Sequence, residues 1–189
     1  MTDRSTDTRV NRLFLDRWSP RAFDGSTLSE AEMRTLFDAA RWAPSAFNTQ
    51  PWRLLYAARG DANWERFLSL LIPFNQNWAK HASLLIFFVS ATTSHDKPLH
   101  THSFDTGAAW MSLALQAELL GLRAHGMAGV DYEAAKAELG VPDDFRIEAA
   151  AVIGRQADPS MLADALRERE VPSDRKPLEE VAFAGNFVR

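Results

Sequence analysis

The sequence predicts a mixed α+β fold, and three observations carry that prediction. Of its 189 residues, 46% are hydrophobic and 24% are charged, which is typical of a globular chain. A continuous apolar run over 83–90 has the length and composition of a strand that is buried on both faces. Helical and strand-like segments follow one another without the strict βαβ order of a parallel sheet. We therefore expect one domain over residues 1–189.

The first half of the chain contains well-marked element boundaries. Ser29 and Glu32 form a capping box at the start of a helix that Pro44 stops. Pro20 pushes Ser19 toward an extended conformation and so ends an earlier short helix. The elements predicted here are helix 8–16, the helix beginning after Ser29, strand 52–58, a helix capped by Asp61 that carries Trp64, Phe67, Leu68 and Leu71, and strand 83–90.

The second half is built around a helix over 105–120 that is apolar nearly all round. Such a helix must be buried on several sides, and Gly121 is its predicted C-cap. The segment 146–153 resembles a strand, but its alanines leave a helix possible. The other predicted elements are strand 122–127, a helix capped by Asp131 that ends at Gly140, helix 160–170, and a tail over 171–189 without a strong period.

Composition and missing motifs exclude several classes of function. The chain has no cysteine, which removes disulfides, thiolate metal sites and a cysteine nucleophile. Its net charge of −4 argues against a partner that is a nucleic acid or an anionic membrane. The first twelve residues are polar, and no apolar run approaches the ~18 residues of a membrane span. No Rossmann, P-loop or nucleophile-elbow motif is present. We expect a cytoplasmic protein.

The histidines do not form a recognisable metal motif. His100 and His102 alternate in a polar segment near His95 and Asp96, which leaves a metal site possible but favours solvated loop histidines. We therefore predict no metal site. No protein nucleophile or general acid is evident either, so we assign no catalytic side chain.

Two segments carry residues suited to a phosphorylated, flat ligand. Arg17, Ser19 and Arg21 alternate along an extended segment and can face one anion, although a solvated basic stretch is the alternative. A loop between Pro44 and Pro51 offers hydrogen-bond donors and acceptors suited to a ring with alternating C=O and N–H groups, although an ordinary polar turn would have the same composition. Its polar residues are Ser45, Asn48, Thr49 and Gln50.

Together these segments resemble the nitroreductase family of flavin mononucleotide (FMN) oxidoreductases. The resemblance rests on an ordered series of motifs that spans about residues 12–185. The motifs are Arg17-x-Ser19-x-Arg21-x-Phe23, Ala43-Pro44-Ser45-x-x-Asn48-x-Gln50-Pro51-Trp52, Pro73-Phe74-Asn75, Asp105-Thr106-Gly107, His125-Gly126-Met127-Ala128-Gly129, and Pro172-Ser173-Asp174-Arg175.

The resemblance implies a mixed, mainly antiparallel sheet surrounded by helices, in an intertwined homodimer with FMN at the subunit interface. It implies phosphate- and ribityl-binding roles for Arg17, Trp18, Ser19, Arg21 and Arg175. It also implies that Pro44, Ser45, Ala46 and Asn48 belong to a loop that reaches the flavin from the other subunit. Asn75 would bond the pyrimidine side of the flavin ring or the ribityl chain, and the backbone of Ala128 and Gly129 would contact the ring near its redox nitrogen. We include Gln50 among the cofactor-binding candidates.

The sequence departs from the family pattern at two places. Gln76, Asn77 and Trp78 stand where the family often has a basic residue, and Ser173 replaces a lysine found in some members. Both departures concern the charge around the cofactor. Phe47 and Trp78 are candidates for stacking on a flat acceptor, although core packing is an alternative for Trp78.

The function that this resemblance implies is hydride transfer from NAD(P)H, through bound FMN, to an electron-poor small molecule such as a nitroaromatic or a quinone. Because no second dinucleotide motif is present, we expect both substrates to use one cavity in a ping-pong scheme. The alternatives are a flavin-binding protein with little turnover and an interaction module without flavin.

Overall fold

The strands of the main sheet pair antiparallel, and helices pack against the sheet. This arrangement confirms the predicted α+β fold with a mainly antiparallel sheet. The computed structural model describes Arg4 and residues 6–187, so the ends of the predicted 1–189 domain lie outside the described residues. Four strands pair in the order β1-β2-β6-β5, and β3 and β4 form a separate two-stranded hairpin. The strands are β1 (Trp52–Ala58), β2 (Leu84–Ala91), β3 (Thr93–Ser94), β4 (Lys97–Pro98), β5 (Arg123–Met127) and β6 (Phe145–Gly154).

Helices cover both faces of this sheet. They are α1 (Arg12–Asp16), α2 (Glu30–Arg41), α3 (Trp64–Ser69), α4 (Pro73–Ala79), α5 (His102–Leu119), α6 (Tyr132–Glu138) and α7 (Asp164–Arg167). Three single 3₁₀ turns lie at Ala46–Asn48, Pro159–Met161 and Leu178–Glu180.

Strand β2 occupies the centre, as its apolar run predicts. It pairs with β1 on one side and β6 on the other, with a register shift between Phe88 and Val89. Alternate side chains point to opposite faces, so Leu85 and Phe87 join one hydrophobic cluster while Ile86 and Phe88 join the other. Both clusters are buried, which explains why this strand has no polar face.

The predicted capping box and the long helix are both confirmed. The Ser29 hydroxyl accepts from the backbone N–H of Glu32, and the Glu32 carboxylate accepts from the backbone N–H of Ser29 at 2.7 Å. Helix α5 begins one turn before the predicted position and packs against α2 and the sheet. Gly121 follows it with a φ of 72°, the left-handed conformation that favours glycine after a helix.

Three local predictions are wrong. The predicted helix 160–170 is broken at Leu162, whose backbone is extended (ψ 150°) and whose side chain is buried in the core. Helix α4 was not expected, although Pro73 at its first position is typical of a helix start. Asp61 does not cap α3; it accepts from the backbone N–H groups of Ala58 and Asn63 in the preceding turn.

Candidate functional site

The predicted Arg-x-Ser-x-Arg segment lies between α1 and the core in an extended conformation. Arg17 ends α1 with a φ of −63° and a ψ of 120°, and its guanidinium donates to the Ser19 hydroxyl at 3.2 Å. The next residues carry the chain inward, where Ala22 and Phe23 are fully buried. The segment is therefore fixed at its inner end, and its arginines lie at the edge of the core.

A cavity of about 560 Å³, hereafter the basic cavity, opens beside this segment. Three stretches of chain that are distant in sequence meet around it, together with His125 of β5. Its lining residues are Arg4, Arg17, Trp18, Ser19, Arg21, His125, Glu168, Arg169, Val171, Ser173 and Arg175. Five arginines and one exposed glutamate line it, so the cavity carries a concentration of positive charge on a chain whose net charge is −4.

The hydrogen bonds around the basic cavity leave donors unused. Burial, then the guanidiniums of Arg175 and Arg4, lowers the pKa of Arg17. The Nε of Arg21 is buried and has no hydrogen-bond partner in the described part of the chain. A buried N–H without a partner is costly, and an anion in the cavity would satisfy it.

Ser173 joins the two ends of the chain at this cavity. Arg4 donates through Nε to the Ser173 carbonyl at 3.0 Å, and Arg175 donates to the Ser173 hydroxyl at 3.1 Å. Arg4 also donates to the carbonyl of Arg17 at 2.9 Å. Ser173 thus contacts two arginines, and the cavity includes Arg4, which sequence reasoning missed.

His125 forms the inner wall of the basic cavity. Its Nδ1 donates to the Pro20 carbonyl at 2.8 Å, and its ring lies 4.6 Å from the ring of Trp78. Burial, then the positive charges of Arg21 and Arg17, outweighs this hydrogen bond and lowers the pKa of His125 to about 4. The imidazole is therefore neutral at pH 7.

Strand β5 leads from the basic cavity to a second, apolar cavity of about 270 Å³. Within the described sheet β5 pairs only with β6, so its outer edge presents backbone groups that have no strand partner. The apolar cavity is lined by Phe88, Ser103, Thr106, Gly107, Trp110, Gly126, Met127, Ala128, Glu148, Ala149 and Ala150. Strand β5 thus contributes His125 to the basic cavity, while residues 126–128, at the end of the strand and just after it, line the apolar cavity.

The apolar cavity has one polar end. Glu148 lies there and accepts from Arg146 Nη2 at 2.8 Å and from the Ser90 hydroxyl at 2.6 Å. Burial alone would raise the pKa of Glu148, but these hydrogen bonds lower it below its ordinary value. Ser103 donates to the same carboxylate at 3.1 Å. Because these partners compensate its charge, the carboxylate is held in a fixed position.

Asn75 and Gly129 contact each other directly. The Asn75 side chain donates to the Gly129 carbonyl at 3.1 Å and is buried. A Cβ on Gly129 would lie 2.4 Å from Asn75 Nδ2 and 2.8 Å from the Ile72 side chain. Glycine is therefore required here by close approach. The start of α4 thus buttresses the turn that follows Ala128.

Trp78 does not lie in an open pocket. Its side chain is 1% exposed and packs between Phe23 and His125, with the Arg21 guanidinium 5.9 Å from its ring centre. The prediction that Trp78 stacks on an acceptor is therefore wrong. Trp78 belongs to the core and packs against His125 and the Arg21 guanidinium.

The loop that begins at Pro44 is strained. Phe47, Asn48 and Gln50 have φ values of 52°, 56° and 46°, a conformation that non-glycine residues seldom adopt. Several hydrogen bonds hold it, among them those from Gln50 N–H to the Ser45 hydroxyl at 3.0 Å and from Ala46 N–H to the buried carboxylate of Asp105 at 3.2 Å. Phe47 is 100% exposed.

The structure brings together only part of the predicted site. Arg17, Trp18, Ser19, Arg21 and Arg175 line the basic cavity, Ala128 lines the apolar cavity, and Asn75 contacts Gly129 behind it. Within the described chain, the loop residues Pro44, Ser45, Ala46, Phe47, Asn48 and Gln50 line neither cavity.

The described residues, Arg4 and 6–187, show neither a metal cluster nor a membrane-spanning helix. No group of three His, Cys, Asp or Glu side chains there is placed to hold a metal ion. No helix there is long and apolar enough to cross a membrane.

The chain is similar to known proteins in both sequence and fold. The model of the nitroreductase family matches residues 15–72 and 71–155. A crystal structure described as an oxidoreductase containing FMN is 51% identical, covers 100% of this chain and 98% of its own, and superimposes with a TM-score of 0.96.

More distant relatives share the fold. A provisionally named nitroreductase from Desulfovibrio desulfuricans, solved in complex with FMN, is 22% identical over 97% of this chain and 100% of its own, with a TM-score of 0.75. A protein of Rhodopseudomonas palustris (strain TIE-1), provisionally named NADH dehydrogenase/NAD(P)H nitroreductase, is 27% identical over 73% of this chain and 80% of its own.

The neutral state of His125 predicts a pH dependence of stability. Its folded pKa of about 4 lies below the ordinary 6.5, so the unfolded chain binds a proton that the folded chain does not. The free energy of unfolding should therefore fall as the pH falls from 6.5 toward 4, by up to about 3 kcal/mol over the full window.

The measurement is denaturant unfolding at pH 5.0, 5.5, 6.0 and 6.5 on wild type and His125→Asn. Asparagine keeps an N–H donor for the Pro20 carbonyl but does not titrate. The difference in the free energy of unfolding between wild type and His125→Asn should become smaller as the pH falls. A difference that is independent of pH would show that His125 is protonated as easily in the folded as in the unfolded chain.

Proposed function

The chain belongs to the nitroreductase family, and on that premise we propose that it is an oxidoreductase that binds FMN and passes hydride from NADH or NADPH to an electron-poor small molecule. One observation carries the proposal: β5 connects a cavity lined by five arginines to an apolar cavity. FMN has the matching shape, with a phosphate at one end and a flat ring system at the other.

The basic cavity suits the phosphate end. A phosphate close to a dianion needs several charge-assisted donors, and five arginines line this cavity. Arg21 supplies a buried Nε that lacks a partner, and Arg17 has a lowered pKa in the field of its neighbours. Trp18 and Ser19 line the same wall and would face the ribityl chain.

The edge of β5 suits the ring. Backbone groups along Gly126–Ala128 have no strand partner on their outer side and can hydrogen-bond the polar edge of a flavin. Gly129 and Asn75 fix this backbone from behind. When bound, FMN supplies the chemistry of accepting and donating hydride, and the protein supplies position and hydrogen bonds.

The substrates would share one place beside the ring. With the ring at the edge of β5, a small aromatic acceptor would stack on the face of the ring that stays open, near the side of the apolar cavity that carries Trp110 and Phe88. The use of NADH or NADPH is supported by the name of the Rhodopseudomonas palustris relative. Because one place serves both substrates, the nicotinamide must leave before the acceptor enters.

The active unit would be a homodimer with shared sites. The hydrogen bond from Ala46 to Asp105 places Phe47 and Phe104 at one corner of the chain, where they are 100% and 82% exposed. Apolar side chains grouped in this way are typical of an interface. We propose that the loop from Pro44 to Gln50 crosses to the partner's flavin, which explains why it lines neither cavity of its own chain. Phe47 would then contact the acceptor there.

Removing Arg21 should weaken the binding of FMN but not that of riboflavin, which has the ring without the phosphate. Loss of one charge-assisted contact costs about 1.5–3 kcal/mol, or about tenfold to a hundredfold in affinity. Fluorescence titration of apo-protein with each flavin measures this for Arg21→Ala. Arg66→Ala is the control, because Arg66 lies on α3 outside both cavities and donates to the carbonyl of Glu138 on α6. Equal FMN affinity in wild type and Arg21→Ala would remove Arg21 from the phosphate site.

The shared-site model predicts a dimer at low concentration. An obligate interface of this kind buries more than ~2,000 Å² in total. Sedimentation velocity of FMN-loaded protein below micromolar concentration should show a dimer, and Phe47→Asp should shift it toward monomer because a carboxylate would enter an apolar contact. An FMN-loaded monomer of the wild type would contradict the model.

The catalytic proposal is tested by two kinetic measurements. In anaerobic solution without acceptor, NADH or NADPH should bleach the flavin absorbance at about 450 nm. Initial rates with donor and acceptor varied should give parallel double-reciprocal lines. If the flavin colour persisted with both NADH and NADPH, the protein would bind flavin without having this activity. Intersecting lines would show that both substrates bind at the same time.

A further inference from the structure

We infer that Glu170 is a positioning residue that joins the two halves of the basic cavity and sets Arg21 for an anionic ligand. The inference rests on the proposed FMN site, but it concerns a residue outside the motifs that point to that site. Glu170 lies in the segment after α7, and its side chain is completely buried (0% exposed).

The contacts of Glu170 are made to backbone. One carboxylate oxygen, Oε1, accepts from the N–H of Arg21 at 2.6 Å and from the N–H of Ala22 at 2.8 Å. These residues lie 149 and 148 positions away in sequence. A carboxylate that bridges two successive backbone donors fixes both the path and the orientation of that backbone. The point where Arg21 leaves the core is thus held from the C-terminal side of the chain.

The second oxygen faces the guanidinium. Glu170 Oε2 lies 4.0 Å from Arg21 Nη1, and it has no hydrogen-bond partner in the described part of the chain. Arg21 Nε likewise lacks a partner. The pair is therefore close enough for charge attraction but leaves the donors of Arg21 free. Trp78, with its ring centre 5.9 Å from the Arg21 guanidinium, limits movement on the other side.

This arrangement explains how one cavity can be built from distant segments. The segment 168–175 contributes Arg169 and Arg175 to the lining, and the segment 17–21 contributes Arg17 and Arg21. Glu170 is the buried hydrogen-bond connection between them. Arg4 links the same two segments from the exposed side, where it donates to the carbonyls of Arg17 and Ser173. Without Glu170, the inner end of the cavity would lose its buried link, and the like charges of the two segments would repel each other there.

The experiment separates the hydrogen bonds of Glu170 from its charge. Glu170→Ala removes the acceptor and should lower FMN affinity at least about tenfold, while riboflavin affinity changes by less than about twofold. Glu170→Gln keeps an oxygen for both N–H groups and removes a negative charge near the phosphate, so its FMN affinity should equal or exceed that of wild type. Glu168→Ala, which removes an exposed carboxylate of the same cavity, should behave like Glu170→Gln.

Amide hydrogen exchange supplies a readout without flavin. The N–H groups of Arg21 and Ala22 should exchange faster in apo Glu170→Ala than in wild type, and at the wild-type rate in Glu170→Gln. If Glu170→Ala does not fold, Glu170→Gln alone decides, because a tenfold loss of FMN affinity in that variant would overturn the inference. The inference would also be overturned if Glu170→Ala lost affinity for FMN and riboflavin equally, or if its affinity for FMN were unchanged. Failure of wild type to bind FMN would instead overturn the proposed function.

Discussion

The concentration of positive charge at one edge of the fold is the constraint on which the rest of this site depends. Guanidiniums from the N-terminal and C-terminal parts of the chain meet at a single cavity. Like charges repel, so each must be held by other contacts: Arg4 and Arg175 by Ser173, and the backbone at Arg21 by Glu170. An anion completes the arrangement, and the protein is preorganised for it. The proposed phosphate site would need neither a glycine-rich loop nor a helix N-terminus.

The sheet places the second half of the site relative to the first. Because β5 is an edge strand, its backbone is available along the line that joins the basic and apolar cavities. Gly129 allows Asn75 to approach and fix the turn at its end. In the proposed reaction the bound ring would carry the electrons, and the protein would supply position and polarity.

Local signals in the sequence predicted the parts of the fold and site that are local in space. The capping box at Ser29, the apolar run of β2 and the alternation of Arg17, Ser19 and Arg21 each act over a few residues. The helix break at Leu162 follows from burial of that side chain, which no periodicity reveals. Arg4, His125 and Glu170 reach the basic cavity through contacts across roughly the whole chain, and sequence alone shows no partner for them. For Trp78 the sequence suggested a site residue where the structure has a core residue. An aromatic residue near a motif can equally belong to the core, and the sequence alone does not distinguish the two.

The central claim is that this fold holds FMN by its phosphate, and the flavin content of the purified protein tests it most directly. Apo-protein is incubated with an equimolar mixture of FMN and riboflavin, freed of unbound flavin by gel filtration, and denatured, and the released flavin is identified by chromatography. The account predicts one FMN for each chain and almost no riboflavin, because only FMN engages the arginines. A colourless protein, or one that retains both flavins equally, would contradict it.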